Sequence, residues 1–139
     1  MMTQTLMIFV VAVLGYLNSY LASAMICRPM VMGTLVGLVL GDLQTGVMVG
    51  ATLELVWLGA MAIGASNPPD MISGSIIGTA YVIVTGSDVA ASVALAVPVS
   101  MLMQSLWNLM MMIIVPMLAA KADKYALACD NKGIDRMHY

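Results

Sequence analysis

The sequence predicts an all-α membrane protein: polytopic transmembrane helices with short broken or re-entrant helical hairpins. Three observations carry that expectation. Of the 139 residues, 62% are hydrophobic and 9% charged, with a mean hydropathy of +1.00, against roughly 45–50% apolar and about 25% charged in ordinary soluble domains. Four of the five basic residues, Lys121, Lys124, Lys132 and Arg136, fall in the last 19 positions, and everything before Lys121 holds only Arg28. Between them, residues 28–70 place Asp42, Glu54 and Asp70 among apolar pieces that Gly, Asp and Pro break into lengths shorter than a simple span.

Residues 6–27 are uncharged for 22 positions. At about 1.5 Å per residue that suffices to cross a hydrocarbon core of about 30 Å, so a plain spanning helix is expected. Its Asn18, Ser19 and Ser23 suit hydrogen bonds to a neighbouring helix or to solute. Arg28-Pro29 stops it, because proline disfavours the α conformation in the residue before it. Residues 30–41 are only 12 positions, about 18 Å if helical, so this piece dips in without crossing. After Asp42, Gln44 and Thr45, residues 46–64 supply 19 positions with Glu54 near the midpoint, which puts a carboxylate at membrane depth.

The segment ASNPPD, residues 65–70, is a turn by composition, since Pro68 and Pro69 forbid helix continuation. Residues 71–86 form a further short apolar piece, and Ser87-Asp88 a surface loop. Residues 89–119 then run 31 positions without a charge; Pro98 is expected to divide a lead-in from a final helix over 99–119 with Gln104, Trp107 and Asn108 on one face. Residues 121–139 read as a water-soluble tail that the positive-inside bias places in the cytoplasm. The expected division is a transmembrane domain over 1–120 and a cytoplasmic tail over 121–139.

Gly33, Gly37 and Gly41 form overlapping GxxxG units, followed by Gly46 with Gly50 and Gly74 with Gly78. Helices in lipid have no hydrophobic drive towards one another, so glycine faces that let backbones approach are what binds them. The net charge of −2 and the lack of a basic stripe argue against a nucleic-acid partner. Cys27 and Cys129 lack CxxC spacing and a nearby histidine, so neither metal nor disulfide is expected. The 16 methionines read as adaptable filling. His138 has no catalytic partner at a meaningful spacing, and no Walker or GxGxxG motif suggests a cofactor. Whatever energy drives the protein enters through a partner or a gradient.

A carboxylate at the bilayer centre costs at least about 2.5 kcal/mol, so Glu54 should face protein or a wet cavity. It can be a ligand for a polar solute, a proton or ion carrier, or a structural partner of Arg28 or of a backbone nest. Asp42, following Gly41, suits a helix cap or turn residue. Ser66, Asn67 and Asp70 put hydroxyl, amide and carboxylate on one tight turn, the mixed donors and acceptors that a sugar demands.

Arg28-Pro29, the run TLVGLVLGDLQT over 34–45, the stretch from Gly46 to Glu54 and the turn reaching Pro69-Asp70 resemble the IIC permease subunit of the mannose–fructose–sorbose family of the bacterial phosphoenolpyruvate-dependent sugar phosphotransferase system. Ala122-Asp123-Lys124 resembles that family's cytoplasmic ADK element. The resemblance, nearest to the N-acetylgalactosamine branch, covers the N-terminal half of a typical member. It implies a multi-pass inner-membrane subunit, oligomeric and embedded in lipid, not an enzyme, which moves a hexose or amino sugar. The IID membrane subunit would be its partner, and IIB, charged by IIA, would phosphorylate the sugar. It also implies that Glu54, Ser66, Asn67 and Asp70 line the sugar site while Arg28, Gly41, Asp42 and Gly46 hold the fold. Where many mannose-type members have Asn before the Ile-Gly of the turn, this chain has Ala62. Two rivals stay open: a truncated, assembly-only subunit, and an ion-coupled carrier using Glu54.

Overall fold

The computed structural model describes residues 2–21, 25–60, 63, 67–127 and 133. Five helices follow one another: α1 (Met2–Leu21), α2 (Pro29–Leu40), α3 (Leu43–Trp57), α4 (Met71–Thr85) and α5 (Val89–Leu127). The chain divides into two units, Met1–Gln104 and Ser105–Tyr139.

Helix α1 begins earlier than expected and gives way to a turn at 25–28, where Arg28 N–H donates to the Met25 carbonyl at 3.2 Å. Asn18 accounts for the difference. Its side chain is buried; Oδ1 accepts from Ile26 N–H at 3.3 Å and Nδ2 donates to Cys27 Sγ at 3.5 Å, which ties the returning chain back onto α1. Met25 takes a left-handed φ of +57° in that reversal. Arg28 is extended, at φ −67° and ψ 139°, as a residue before proline should be, and Pro29 opens α2 where no intrahelical N–H is needed.

Two residues join α2 to α3, so the helices run antiparallel. Gly41 ends α2 in the left-handed region at φ +87°, with its N–H on the Gly37 carbonyl at 2.9 Å. Asp42 then caps α3: Oδ1 accepts from Thr45 N–H at 3.1 Å and Oδ2 from Thr45 Oγ1 at 2.6 Å. The helices meet backbone to backbone. A Cβ on Gly33 would stand 2.8 Å from Gly50 Cα, and one on Gly46 would stand 2.7 Å from both the Gly33 oxygen and Gly37 Cα. Gly41 takes no part in that contact, since a Cβ there would meet nothing within 4 Å; its φ is what requires glycine.

The α4–α5 hairpin repeats the construction. Gly86 ends α4 at φ +64° with its N–H on the Val82 carbonyl at 2.9 Å, and Asp88 Oδ1 accepts from Val89 N–H at 2.7 Å. Small residues face small residues again: a Cβ on Gly74 would lie 2.9 Å from the Ala96 oxygen, and one on Gly78 would lie 3.1 Å from the Ser92 oxygen. Helix α4 joins the two hairpins. Val82 packs with Val49, Leu53 and Trp57 of α3 and Ala96 of α5, while Ile76 packs with Met32 and Val36 of α2 and Val11 of α1. Ser75, Ser92 and Ser100 are buried and return their hydroxyls to their own helices at 2.5–2.8 Å.

Helix α5 runs unbroken for 39 residues through Pro98 and Pro116, where a division at Pro98 was expected. Proline removes a single amide donor from a long helix, and membrane helices tolerate that loss. Its first part belongs to the first unit. From Ser105 onwards it lies in the second, where apolar side chains on every face are exposed, Trp107 and Met112 among them. A helix apolar all round belongs in lipid or against another apolar surface. Among the described residues, α5 alone is long and apolar enough to cross a membrane, and it continues through Lys121 and Lys124 to Leu127.

The glycine contact yields a prediction. Gly46→Ala should lower the thermal stability of the detergent-purified protein by roughly 1–3 kcal/mol, the usual range for overpacking. Gly59→Ala, where a Cβ meets nothing within 4 Å, is the matched control and should change it far less. Equal melting temperatures for the two variants would contradict backbone contact at Gly46.

Candidate functional site

The polar side chains that the sequence singles out gather mainly at one end of the first unit, where α2 and α4 begin and α3 finishes. Three contacts put those termini together: Glu54 of α3 reaches the start of α2, Trp57 lies against Gly74 of α4, and Tyr16 of α1 meets the first turn of α4. Each of the two starting helices has a carboxylate at its N-terminus. Unpaired N–H groups and the helix dipole favour negative charge there, which offsets part of the cost of an acid inside a membrane protein.

At α2 the carboxylate comes from another helix. Arg28, in the N-cap position, makes no side-chain capping bond. Glu54 Oε2 accepts from Met30 N–H at 3.3 Å, and Oε1 stands 3.0 Å from Arg28 Nε in an ion pair. The Glu54 side chain is 20% exposed and that of Arg28 43%. These are the contacts of a structural partner, one of the three roles open to Glu54 in the sequence. They occupy two of about four acceptor positions of the carboxylate, so it can still receive a donor from a solute.

At α4 the carboxylate is local. Asp70 is the N-cap residue, its Oδ1 accepting from Ile72 N–H at 3.3 Å. Ser73 Oγ donates to Oδ2 at 2.5 Å, and Tyr16 OH donates to the same oxygen. The Tyr16 and Ser73 hydroxyls are themselves 2.6 Å apart, and the Asp70 N–H donates to the Ser100 carbonyl of α5 at 3.3 Å. Three helices therefore meet at one residue. Ser73 was missed in the sequence, although its place three residues after an aspartate at a helix start was a signal that could have found it. Tyr16 was not: 54 positions separate it from Asp70, and nothing in the sequence links them.

Asn67 is exposed in the irregular stretch 67–70 that leads into α4, three positions before Asp70; residues 65 and 66 of the expected turn lie outside the described residues. Ser66 and Ala62 lie outside the described residues, as do Ser23, Cys129 and His138. Asp42 stands apart from the other acids, exposed at the tip of the first hairpin, where it caps α3 beside Gly41. Gly46 lies within the hairpin contact. Glu54 and Asp70 share no hydrogen-bond partner: the first closes α2 and the second closes α4. Among the described residues no group of three or more metal-ligating side chains converges. The arrangement can offer hydroxyl and amide acceptors and a guanidinium donor to a neutral polar solute.

Comparison with known proteins gives this geometry a context. The family model described as PTS system sorbose-specific IIC component matches residues 2–139. A protein of Escherichia coli that carries the name N-acetylgalactosamine permease IIC component 2 is 42% identical over 101 residues, covering 73% of this chain and 76% of its own length. The fructose permease IIC component of Bacillus subtilis is 38% identical over 135 residues, which are 97% of this chain and 50% of that protein. In a cryo-EM structure of the mannose transporter ManYZ in complex with a microcin, one chain superposes with a TM-score of 0.80 at 36% identity, over 99% of this chain and 55% of its own length. This chain thus spans about half the length of the Bacillus relative and of the solved transporter chain. It belongs to the sorbose-specific IIC component family of the sugar phosphotransferase system, a family of membrane permease components rather than of the subunits that transfer phosphate.

Proposed function

We propose that this chain forms part of the sugar pathway of a bacterial phosphotransferase system, moving a hexose or an amino sugar such as N-acetylgalactosamine across the inner membrane. A IID subunit would complete the membrane unit, and a IIB subunit, charged by IIA, would phosphorylate the sugar on the cytoplasmic side, where the tail from residue 121 would also lie. The observation that carries this reading is the pair of carboxylates, Glu54 and Asp70, held at the starts of α2 and α4 at one end of the packed hairpins. A sugar offers several hydroxyl donors, and carboxylates with acceptor capacity to spare are its usual partners. In this reading Glu54, Ser66, Asn67 and Asp70 contact the sugar, and Arg28 orients Glu54.

A second reading has its own support. Both oxygens of Glu54 already serve the fold, through Arg28 and Met30. A chain in which these contacts are the whole role of Glu54 would act as an assembly subunit beside a complete permease.

Glu54→Gln separates the two. Glutamine retains an acceptor for Met30 N–H but loses the charge and one carboxylate acceptor. In the assembled complex the sugar-site reading expects uptake to fall about tenfold or more, the scale of a lost hydrogen bond to a charged group. Unchanged uptake and affinity would remove Glu54 from the site. The energy source is tested separately: uptake should require phosphoenolpyruvate and survive collapse of the proton gradient. Uptake that follows the gradient and ignores phosphoenolpyruvate would instead support an ion-coupled carrier.

A further inference from the structure

The contacts of Asp70 are divided unequally. Oδ2 receives two hydroxyl donors, Tyr16 and Ser73, whereas Oδ1 receives one amide donor, Ile72 N–H. A carboxylate oxygen has two good acceptor directions. Among the described residues, Oδ2 is therefore filled, and Oδ1 keeps one direction without a donor. Asn67 stands three positions earlier in the same irregular stretch, exposed, with an amide able to donate and accept.

Two of the three donors to Asp70 are local to α4. An N-cap aspartate with a bond to the third residue after it is a self-contained arrangement that needs no other helix. Tyr16 differs. It comes from α1, 54 positions away, and its hydroxyl touches both Asp70 Oδ2 and Ser73 Oγ, so the direction of the carboxylate follows the position of α1. The Asp70 N–H is held from the other side by the Ser100 carbonyl of α5. Packing already joins α1 to α4 through Val11 and Ile76, so the phenol is not needed to hold the two helices together.

We propose that Tyr16 is a positioning residue for sugar recognition: its hydroxyl holds Asp70 Oδ2, so that Oδ1 is presented to a sugar hydroxyl beside the Asn67 amide. This rests on the sugar-site reading above. It makes α1 part of the recognition machinery, and it assigns the acceptor atom. Ser73 supports the same oxygen from within α4.

The test is sugar uptake by the assembled complex, with KM and maximal rate measured per complex present in the membrane. Tyr16→Phe keeps the ring and removes the hydroxyl; it should raise KM about tenfold while the maximal rate changes less than twofold. Ser73→Ala should raise KM by a smaller factor. Combined with Asp70→Asn, Tyr16→Phe should add nothing further, because both act through one carboxylate. If Tyr16→Phe lowers the maximal rate or the amount of complex and leaves KM unchanged, Tyr16 only packs α1 and the proposal falls. Should Tyr16→Phe fail to assemble, Ser73→Ala decides: an unchanged KM there also overturns it. Asp70→Asn separates the two levels. If that variant alone leaves KM unchanged, the sugar-site reading of Asp70 fails; if it raises KM while Tyr16→Phe does not, only the role of Tyr16 fails.

Discussion

The direct contact of glycine backbones between α2 and α3 is the constraint on which the rest of the first unit depends. Helices of 12 and 15 residues are too short to make a membrane protein by spanning alone. In lipid, burial of apolar side chains gives them little reason to associate, so the favourable term must come from close packing. Gly33, Gly37, Gly46 and Gly50 allow it by leaving no side chain between the axes. Once the two helices lie that close, the last turn of α3 reaches the first turn of α2, and Glu54 can serve both Met30 N–H and Arg28. The polar end is thus a consequence of the apolar contact.

The second hairpin uses similar parts in the same order: a left-handed glycine, an aspartate that accepts from the first amide of the next helix, and small residues four apart facing small residues. In the first hairpin the side chain of Glu54 closes the start of α2; in the second, the Ser100 carbonyl of α5 closes on the residue that starts α4. Repeating the device places two helix N-termini at one end, each with a carboxylate. The two acids differ in how they are held. Glu54 is neutralised by a cation and an amide from a neighbouring helix, and Asp70 by hydroxyls and an amide around its own cap. Acids that would be costly in apolar surroundings become tolerable because the backbone supplies partial positive charge where they sit.

Much of this was legible where a residue has one dominant local effect. Pro29 and Gly41 bracket α2, Asp70 and Gly86 bracket α4, and both elements fall within a residue of where the sequence puts them. The glycine spacing announced the hairpin contact, although Gly41 turned out to serve conformation and not packing. Contacts between distant parts of the chain were legible only as alternatives, or not at all. Arg28 was one of several possible partners for Glu54, and no local rule could join Tyr16 to Asp70. The end of α1 was missed because Asn18 captures Ile26 N–H, a bond that exists only once the chain has turned back. Continuity of α5 through Pro98 was missed because one absent amide weighs little in 39 residues.

The central claim is that the ends of these two hairpins form a sugar-contacting surface. A cryo-EM structure of the chain assembled with its partner subunits and soaked with the transported sugar tests it most directly. The account predicts sugar density within hydrogen-bonding distance of Asp70 Oδ1 or of the Glu54 carboxylate, with the Arg28 pair and the Tyr16 contact intact. Density for the sugar elsewhere, with both carboxylates engaged only by their present partners, would contradict it.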